Sequence, residues 1–595
     1  MPEYNAPLKD MNFVIRELAD LDGIRQIADF ADATDDVVDQ ILNGAAKFAR
    51  DVWGATNVSG DLAGCRVEDK AVVVPDGFAG VYEQFVEAGW QSLEFSPEYD
   101  GMGLPGLIAA ATSEMWQSAN LAFSLCPLLT SGAIFAIESH ATNELKRLYL
   151  PKMISGEWTG TMALTEPQAG SDLAAVKTRA VVEDEHYRLY GTKIFITWGD
   201  QPFSENVVHL VLARLADAPE GIHGVSLFLV PKYRVNPDGS LGERNDAYAV
   251  SVEHKLGIHA SPTCGINFGD GDGAVGYLVG EENKGMACMF TMMNRARVSV
   301  GIQGLAISER AYQQAVMYAK DRVQGAAPGQ DGRATIIQHA DVRRMLMVMK
   351  SQVEAMRAVA YVMAAQWDFA DHSADAAIRA RAEARIEFIT PVVKAWMTEI
   401  AQELTSLGVQ VHGGMGYVEE TGAAQHMRDA RILTIYEGTT GIQALDLVGR
   451  KIFGDSGKAL QDLLGEMRSL DPELANGGEG LVNIRDNLTA AVDELEQSVS
   501  WLLKNAPGDQ NLPGTAAVNL LMQIGTVAGG WQMARAALAA SRKLDNGDEQ
   551  DAAFYQAKII TASFYFEHIM PRSIAYARAA TAGSESTMAM PVDQF

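Results

Sequence analysis

The sequence predicts a mainly α, α+β protein of several domains, and three observations carry that expectation. Apolar residues recur at three- and four-residue spacing from Val37 to Tyr149, β-branched and aromatic residues alternate between about 160 and 280, and helical spacing returns at Met286. At 595 residues the chain can bury several cores without disulfides.

In chain order, residues 1–35 form an N-terminal extension holding Phe13-Val14-Ile15 and an Asp-rich end, expected as a helix laid on the body. Residues 36–159 form a helical domain (Val37, Ile41, Ala45, Phe48, then Val81, Phe85, Ala88, then Trp116, Phe123, Leu128, Ile134), interrupted by the turn-rich Pro97 to Pro105. Residues 160–282 alternate through Tyr187–Thr197, Val207–Leu212, Val225–Val230 and Tyr248–Val252, with Gly, Pro and Asp clusters between, and predict a compact antiparallel β domain. Residues 283–453 predict a helical bundle broken only by Gln324 to Arg333, rich in Gly, Ala and Pro. Residues 454–595 predict an additional helical domain: a polar linker with one short helix to about Gly478, then helices over Leu481–Lys504, Ala516–Leu544 and Asp551–Ala580, then a tail.

A net charge of −28 argues against nucleic acid or an anionic membrane as the main partner, since both need a local excess of Lys and Arg. Cys65, Cys126, Cys264 and Cys288 are far apart and form no CxxC pair, so neither zinc nor a disulfide framework is expected, and a reducing compartment is the default. The first ten residues lack the character of a signal or transit peptide, and no apolar run reaches the roughly 18 residues of a membrane span. A cytoplasmic protein is expected.

The stretch Arg431 to Gln443 holds a lone carboxylate, Glu437, between an apolar run (Ile432, Leu433, Ile435, Tyr436) and the turn-prone Gly438-Thr439-Thr440-Gly441. It should sit where regular structure breaks into a loop. A partly desolvated, mobile carboxylate is a better proton acceptor than a surface one, because burial disfavours its charged form. An isolated Glu is nevertheless more often a helix-end residue without chemistry.

Seven ordered motifs change those odds. Trp158 to Asp172 (Trp-Thr-Gly-Thr-Met-Ala-Leu-Thr-Glu-Pro-Gln-Ala-Gly-Ser-Asp) resembles the flavin-binding signature of the acyl-CoA dehydrogenases. Gly-Met-Gly-Leu-Pro at 101 to 105, Leu-Pro-Lys-Met at 150 to 153, Lys255 to Thr263, Asn294-Arg295-Ala296-Arg297-Val298, Gln410 to Tyr417 and the Glu437 stretch fall in that family's order and spacing. The resemblance spans about 40 to 452. The N-terminal extension, the 324–333 loop and the added C-terminal domain look most like the branch acting on 3-methylmercaptopropionyl-CoA.

The resemblance implies a fold of N-terminal helical domain, middle antiparallel β domain and helical bundle, with FAD as cofactor and an acyl-CoA as substrate. It implies oxidation of the thioester to the 2-enoyl form, with Glu437 as the base and its own backbone N–H, beside a flavin ribityl hydroxyl, polarising the thioester carbonyl. The position used for the base in some relatives is Ala296 here, which cannot take a proton. For FAD it implies Leu164 and Thr165 at the isoalloxazine edge, Ser171 behind Gly170 at a phosphate, Phe195 on the ring and Thr197 beside N5. Arg322 matches the Arg that reaches a neighbouring subunit's FAD pyrophosphate, although Arg322-Val323-Gln324-Gly325 lacks the usual aromatic. Gln410, Gly413 and Gly414 would continue that cross-subunit site, and Thr439 matches a further flavin contact. Arg297 and Asn294 match positions near the substrate; a helical Arg is more commonly a surface ion pair, and Asn294 stands where relatives often carry Asp. Met286, Met289, Met292 and Met293 read as core filler, and His254, His259 and His412 are not spaced as metal ligands.

The implied assembly is a homodimer, or a dimer of dimers, passing electrons to an electron-transfer flavoprotein. The enzymatic alternative is a short- to medium-chain acyl-CoA dehydrogenase or oxidase. A DNA-associated flavoprotein is the alternative from another class, opposed by the excess of Asp and Glu over Lys and Arg in the C-terminal segment.

Overall fold

The computed structural model describes residues 3–329 and 331–595 and divides into two compact units, residues 44–299 and residues 1–43 with 300–595. The boundary falls within the helix Gly285–Asp321.

In the unit of residues 44–299, helices Gly106–Ala119, Leu121–His140 and Asn143–Ser155 pack beside a sheet. Asn120 and Thr142 cap the second and third, accepting from Phe123 N at 3.1 Å and Leu145 N at 3.4 Å. Leu121–His140 is long and apolar enough to cross a membrane by length and composition alone, yet 78% of its most apolar window is buried within the protein. It is a core helix, facing Tyr149, Trp158, Leu210 and Met292 in one hydrophobic cluster.

The strands in chain order are β1 (Arg66–Glu68), β2 (Ala71–Val73), β3 (Trp158–Ala163), β4 (Arg179–Glu183), β5 (His186–Thr197), β6 (Asn206–Ala213), β7 (Ser226–Pro231), β8 (Tyr233–Val235), β9 (Leu241–Arg244), β10 (Ala247–Val252), β11 (Thr263–Phe268) and β12 (Ala274–Val279). The main sheet runs β10-β11-β5-β12-β7-β6-β3, with β4 on β5. Its pairs are antiparallel, as expected, with the exception of β3 and β6, which are parallel. Gly160 lets β3 press on the long helix: a Cβ there would lie 2.6 Å from the Ala133 Cβ, and its N–H donates to Thr130 Oγ1 at 3.0 Å. The hairpin β1–β2 lies inside the stretch expected to be wholly helical.

In the other unit, helices Ala340–His372 and Ala376–His412 form a long antiparallel pair, the second capped by Asp375. The 324–333 loop closes on itself, Gln324 N donating to Ala334 O at 3.0 Å and Ala334 N to Gly325 O at 2.9 Å; Gln330 lies outside the described residues. The segment expected as a linker with one short helix contains two, Lys458–Arg468 and Asp471–Ala475. Leu460, Leu463, Leu464 and Met467, spaced for one helical face, are all buried. Helices Glu479–Asn505, Leu512–Asp545, Ala552–Phe564 and Arg572–Ala580 complete the added domain. It docks on the bundle through Trp396, whose ring lies where a Cβ on Gly525 would be only 2.2 Å away.

The extension is a helix, Leu8–Glu17, with Met11, Val14 and Ile15 buried; of the residues expected there, Met1 and Pro2 lie outside the described ones. Its Asp10 enters a buried cluster of three acids and three bases. Lys558 Nζ bonds Asp10 and Glu354, Arg357 donates to Asp10 Oδ2 at 2.5 Å and Glu309 Oε2 at 2.7 Å, and Lys350 reaches Glu354. Burial works to raise the Asp10 pKa, but Lys558 and Arg357 outweigh it and hold the carboxyl well below the usual range. Asp10→Asn, which leaves two bases undercompensated, is expected to cost about 3 kcal/mol in denaturant unfolding. Pairing it with Lys558→Met should recover part of the loss.

Candidate active site

The predicted residues fall into two sets, one in each unit. In the unit of residues 44–299, β5 leaves regular pairing near Phe195. Ile196 pairs with Cys264 but Lys193 with Ile266, so β5 carries an extra residue across the ladder. Phe195 takes a left-handed φ of +61° and its residue is 56% exposed. A strained backbone that turns an aromatic ring to solvent is the kind of feature a bound flat ligand would offset.

Leu164 and Thr165 run beside this bulge, because Ile194 N donates to Thr165 O at 2.9 Å and Lys193 Nζ to Leu164 O at 2.9 Å. Lys193 is wholly buried and pairs with Glu166 at 2.7 Å. Glu166 also accepts from Lys177 N at 2.7 Å, Thr178 N at 3.0 Å and Thr178 Oγ1 at 2.6 Å. Burial tends to raise the Glu166 pKa, but Lys193 and these donors lower it from 4.5 to about 2. Ser171 is exposed in the following loop, where Asp172 accepts from Ala174 N at 3.0 Å. Thr197, at the end of β5, is half-buried.

Arg297 is not at the surface, where a helical Arg would more often lie. It is 5% exposed, with Nη1 3.5 Å from Asn294 Oδ1 and its guanidinium 5.9 Å from the centre of the Phe290 ring. Met289 and Met292 are fully buried, and Met286 and Met293 pack against the same cluster.

In the other unit, Glu437 lies between a short helical turn, Arg431–Thr434, and the helix Thr440–Asp446. It is half-buried and adopts φ +55°, followed by Gly438 at φ +87°. Two successive left-handed residues turn the chain sharply, and its carbonyls are tied down. Gln443 Nε2 donates to Glu437 O at 3.1 Å, and buried Lys394 donates to Gly438 O at 2.7 Å. Thr439 caps the next helix, accepting from Ile442 N at 3.2 Å. Tyr436 OH bonds Gln303 Oε1.

Arg322, Gln410 and Gly414 share one end of the bundle and are all exposed. Tyr318, one turn before Arg322, stacks on His412 with ring centres 4.4 Å apart, which brings the two helix ends together. A Cβ on Gly414 would meet no heavy atom within 4 Å. Lys394, which holds the Glu437 loop, and Gln410 lie on the same helix, separated by about 24 Å at the helical rise. The structure therefore does not bring Arg322 and Gln410 to Glu437 within one chain.

Sequence reasoning missed Lys193, Lys394 and Gln443 as supports. Lys394 had a signal, a lone charge in the apolar run Val392-Val393-Lys394-Ala395-Trp396.

Four family models match the chain. Those described as acyl-CoA dehydrogenase N-terminal, middle and C-terminal domains cover residues 65–157, 161–270 and 283–453, and one described as acetyl-CoA dehydrogenase C-terminal like covers 461–591. The chain is 46% identical over 572 residues to the 3-methylmercaptopropionyl-CoA dehydrogenase of Ruegeria pomeroyi, spanning 95% of this chain and 96% of that one. It is 33% identical over 612 residues to a butyryl-CoA dehydrogenase of Syntrophomonas wolfei, spanning 100% and 99%. The fold is similar to the crystal structure of an acyl-CoA dehydrogenase complexed with FAD from Bacillus anthracis, with TM-score 0.72 and 21% identity, over 96% of this chain and 91% of that one. The chain thus belongs to the acyl-CoA dehydrogenase family of FAD-dependent oxidoreductases.

Proposed function

We propose that the chain dehydrogenates 3-methylmercaptopropionyl-CoA to 3-methylthioacryloyl-CoA, with Glu437 taking the proton from the thioester α-carbon. The observation that carries the role of Glu437 is its sharp, half-buried turn, in which the successive backbone carbonyls of Glu437 and Gly438 are anchored by Gln443 and Lys394. Anchoring fixes the backbone turn from which the side chain reaches, which suits a base that must be held in position to approach a carbon acid. The Glu437 backbone N–H would donate to the thioester oxygen and stabilise the negative charge that develops there.

FAD, when bound, supplies the acceptor for the β-hydrogen as hydride. The chain's residues fit it: the exposed Phe195 ring offers a face to the isoalloxazine, and Leu164, Thr165 and Thr197 border that face. Ser171 would bond a phosphate through its hydroxyl. Arg322, Gln410 and Gly414 would serve the FAD of a second subunit. Their distance along the helix from the Glu437 loop, their exposure and the open space at Gly414 support a homodimer. Arg297 and Asn294 are proposed to order the pocket wall on the substrate side, and Thr439 to contact the flavin. An electron-transfer flavoprotein is the proposed acceptor.

The 46% identity to the Ruegeria enzyme over nearly the whole of both chains supports the thioether substrate. The butyryl-CoA dehydrogenase, matched over its full length at 33%, marks the alternative. In steady-state turnover, kcat/KM for 3-methylmercaptopropionyl-CoA should exceed that for butyryl- and octanoyl-CoA by about tenfold or more. Preference for either straight chain would overturn the narrower assignment.

A further inference from the structure

Where the N-terminal extension and the added C-terminal domain meet the bundle, the chain encloses a cleft of about 460 Å³. Leu18, Val362, Phe369, Ile378 and Leu470 line its apolar side. Its polar side sets three guanidinium groups, Arg381, Arg385 and Arg535, against two carboxylates, Asp20 and Glu466.

The carboxylates are already committed. Glu466 Oε1 accepts from Arg381 at 2.9 Å and Arg385 at 2.7 Å, and Asp20 caps the helix Leu21–Ile24 by accepting from Gly23 N at 3.2 Å. Arg535 is left with neutral partners, donating to Gln532 Oε1 at 2.7 Å and to the Leu18 carbonyl at 2.8 Å. Among the described residues no carboxylate pairs with it. Burial lowers its pKa, against the weaker pull of Glu466 and Asp20 at longer range. One helical turn away, Trp531 is 8% exposed and its indole Nε1 has no acceptor. A half-buried guanidinium with no carboxylate bonded to it keeps donor capacity and charge that a ligand in the cleft can satisfy.

We propose that this cleft binds a small monocarboxylate with an apolar body, its carboxylate on Arg535 and its body along Val362 and Phe369. Three guanidinium groups against two carboxylates leave one positive charge, which a monoanion neutralises and a phosphate dianion would overshoot. The planar fork of Arg suits a carboxylate. The cleft volume lies in the range of small-ligand sites. Because the Leu18 carbonyl holds Arg535 and Trp531 belongs to the added domain, a chain without either addition would lack the site.

Isothermal titration of the FAD-loaded enzyme with octanoate tests the assignment, with inorganic phosphate as a second titrant and flavin absorbance followed in parallel to register any occupancy of the acyl site. Saturable octanoate binding that leaves the flavin spectrum unchanged is expected, weakened about tenfold in Arg535→Gln by loss of a charge-assisted bond. Glu466→Gln, which removes a negative charge and frees two guanidinium groups, should bind more tightly, an outcome that a merely structural Arg535 does not give. Equal affinity in the wild type and both variants, no saturable binding at all, or phosphate binding more tightly than octanoate would each overturn the proposal.

Discussion

Glu437→Gln is expected to leave a yellow, flavin-loaded protein whose colour no longer bleaches on adding substrate, with flavin reduction slowed about 10³-fold. The substitution isolates the proton transfer. Gln is isosteric, and the bonds that hold the loop, from Gln443 Nε2 to Glu437 O and from Lys394 to Gly438 O, are made to backbone carbonyls that the variant keeps. Stability should therefore stay within about 0.5 kcal/mol of the parent. Anaerobic stopped-flow absorbance reads the rate, and reduction within tenfold of the parent would mean that the base lies elsewhere.

The break around Glu437 was legible because Gly438 and Gly441 flank two threonines, a local signal of chain reversal. What anchors the loop was not, since Lys394 lies 44 positions upstream and reaches it only through the fold. The same division holds elsewhere. Alternation in Tyr187–Thr197 identified a strand, but the extra residue that turns Phe195 outward depends on how that strand pairs with β11, far along the chain. Alternation also carries no direction, so the parallel pairing of β3 with β6 had no sequence trace. The β1–β2 hairpin turns through Asp69 and Lys70, both at positive φ, without the Gly or Asn that usually marks such a turn. In the segment after Gly454 the signal was present and outweighed: Leu460, Leu463, Leu464 and Met467 keep helical spacing among Gly and Asp residues that suggested a linker. Arg297 was misleading for a different reason, because residue type favours the surface while the helix that carries it is buried there.

The buried pair Lys193–Glu166 gives the largest expected effect on stability, and it separates holding the fold from holding the cofactor. Lys193→Met leaves Glu166 as an uncompensated charge, and should destabilise by about 3–5 kcal/mol. It also frees the Leu164 carbonyl from the Lys193 ammonium, so the Leu164–Thr165 segment loses a tie to β5 and FAD retention on gel filtration should fall. In the double variant Lys193→Met/Glu166→Gln the buried charge is gone while the Leu164 tie is still absent. Stability should then largely recover, with FAD retention remaining low. The parent's pH dependence follows from the same pair. The Glu166 pKa is lowered from 4.5 to about 2 in the folded state, so its contribution is fully present above about pH 4.5 and is lost as pH falls toward about 2. Denaturant unfolding across that window should show a steeper acid loss in the parent than in the double variant. Recovery of FAD retention along with stability in the double variant would remove Lys193 as a positioning residue for the flavin edge.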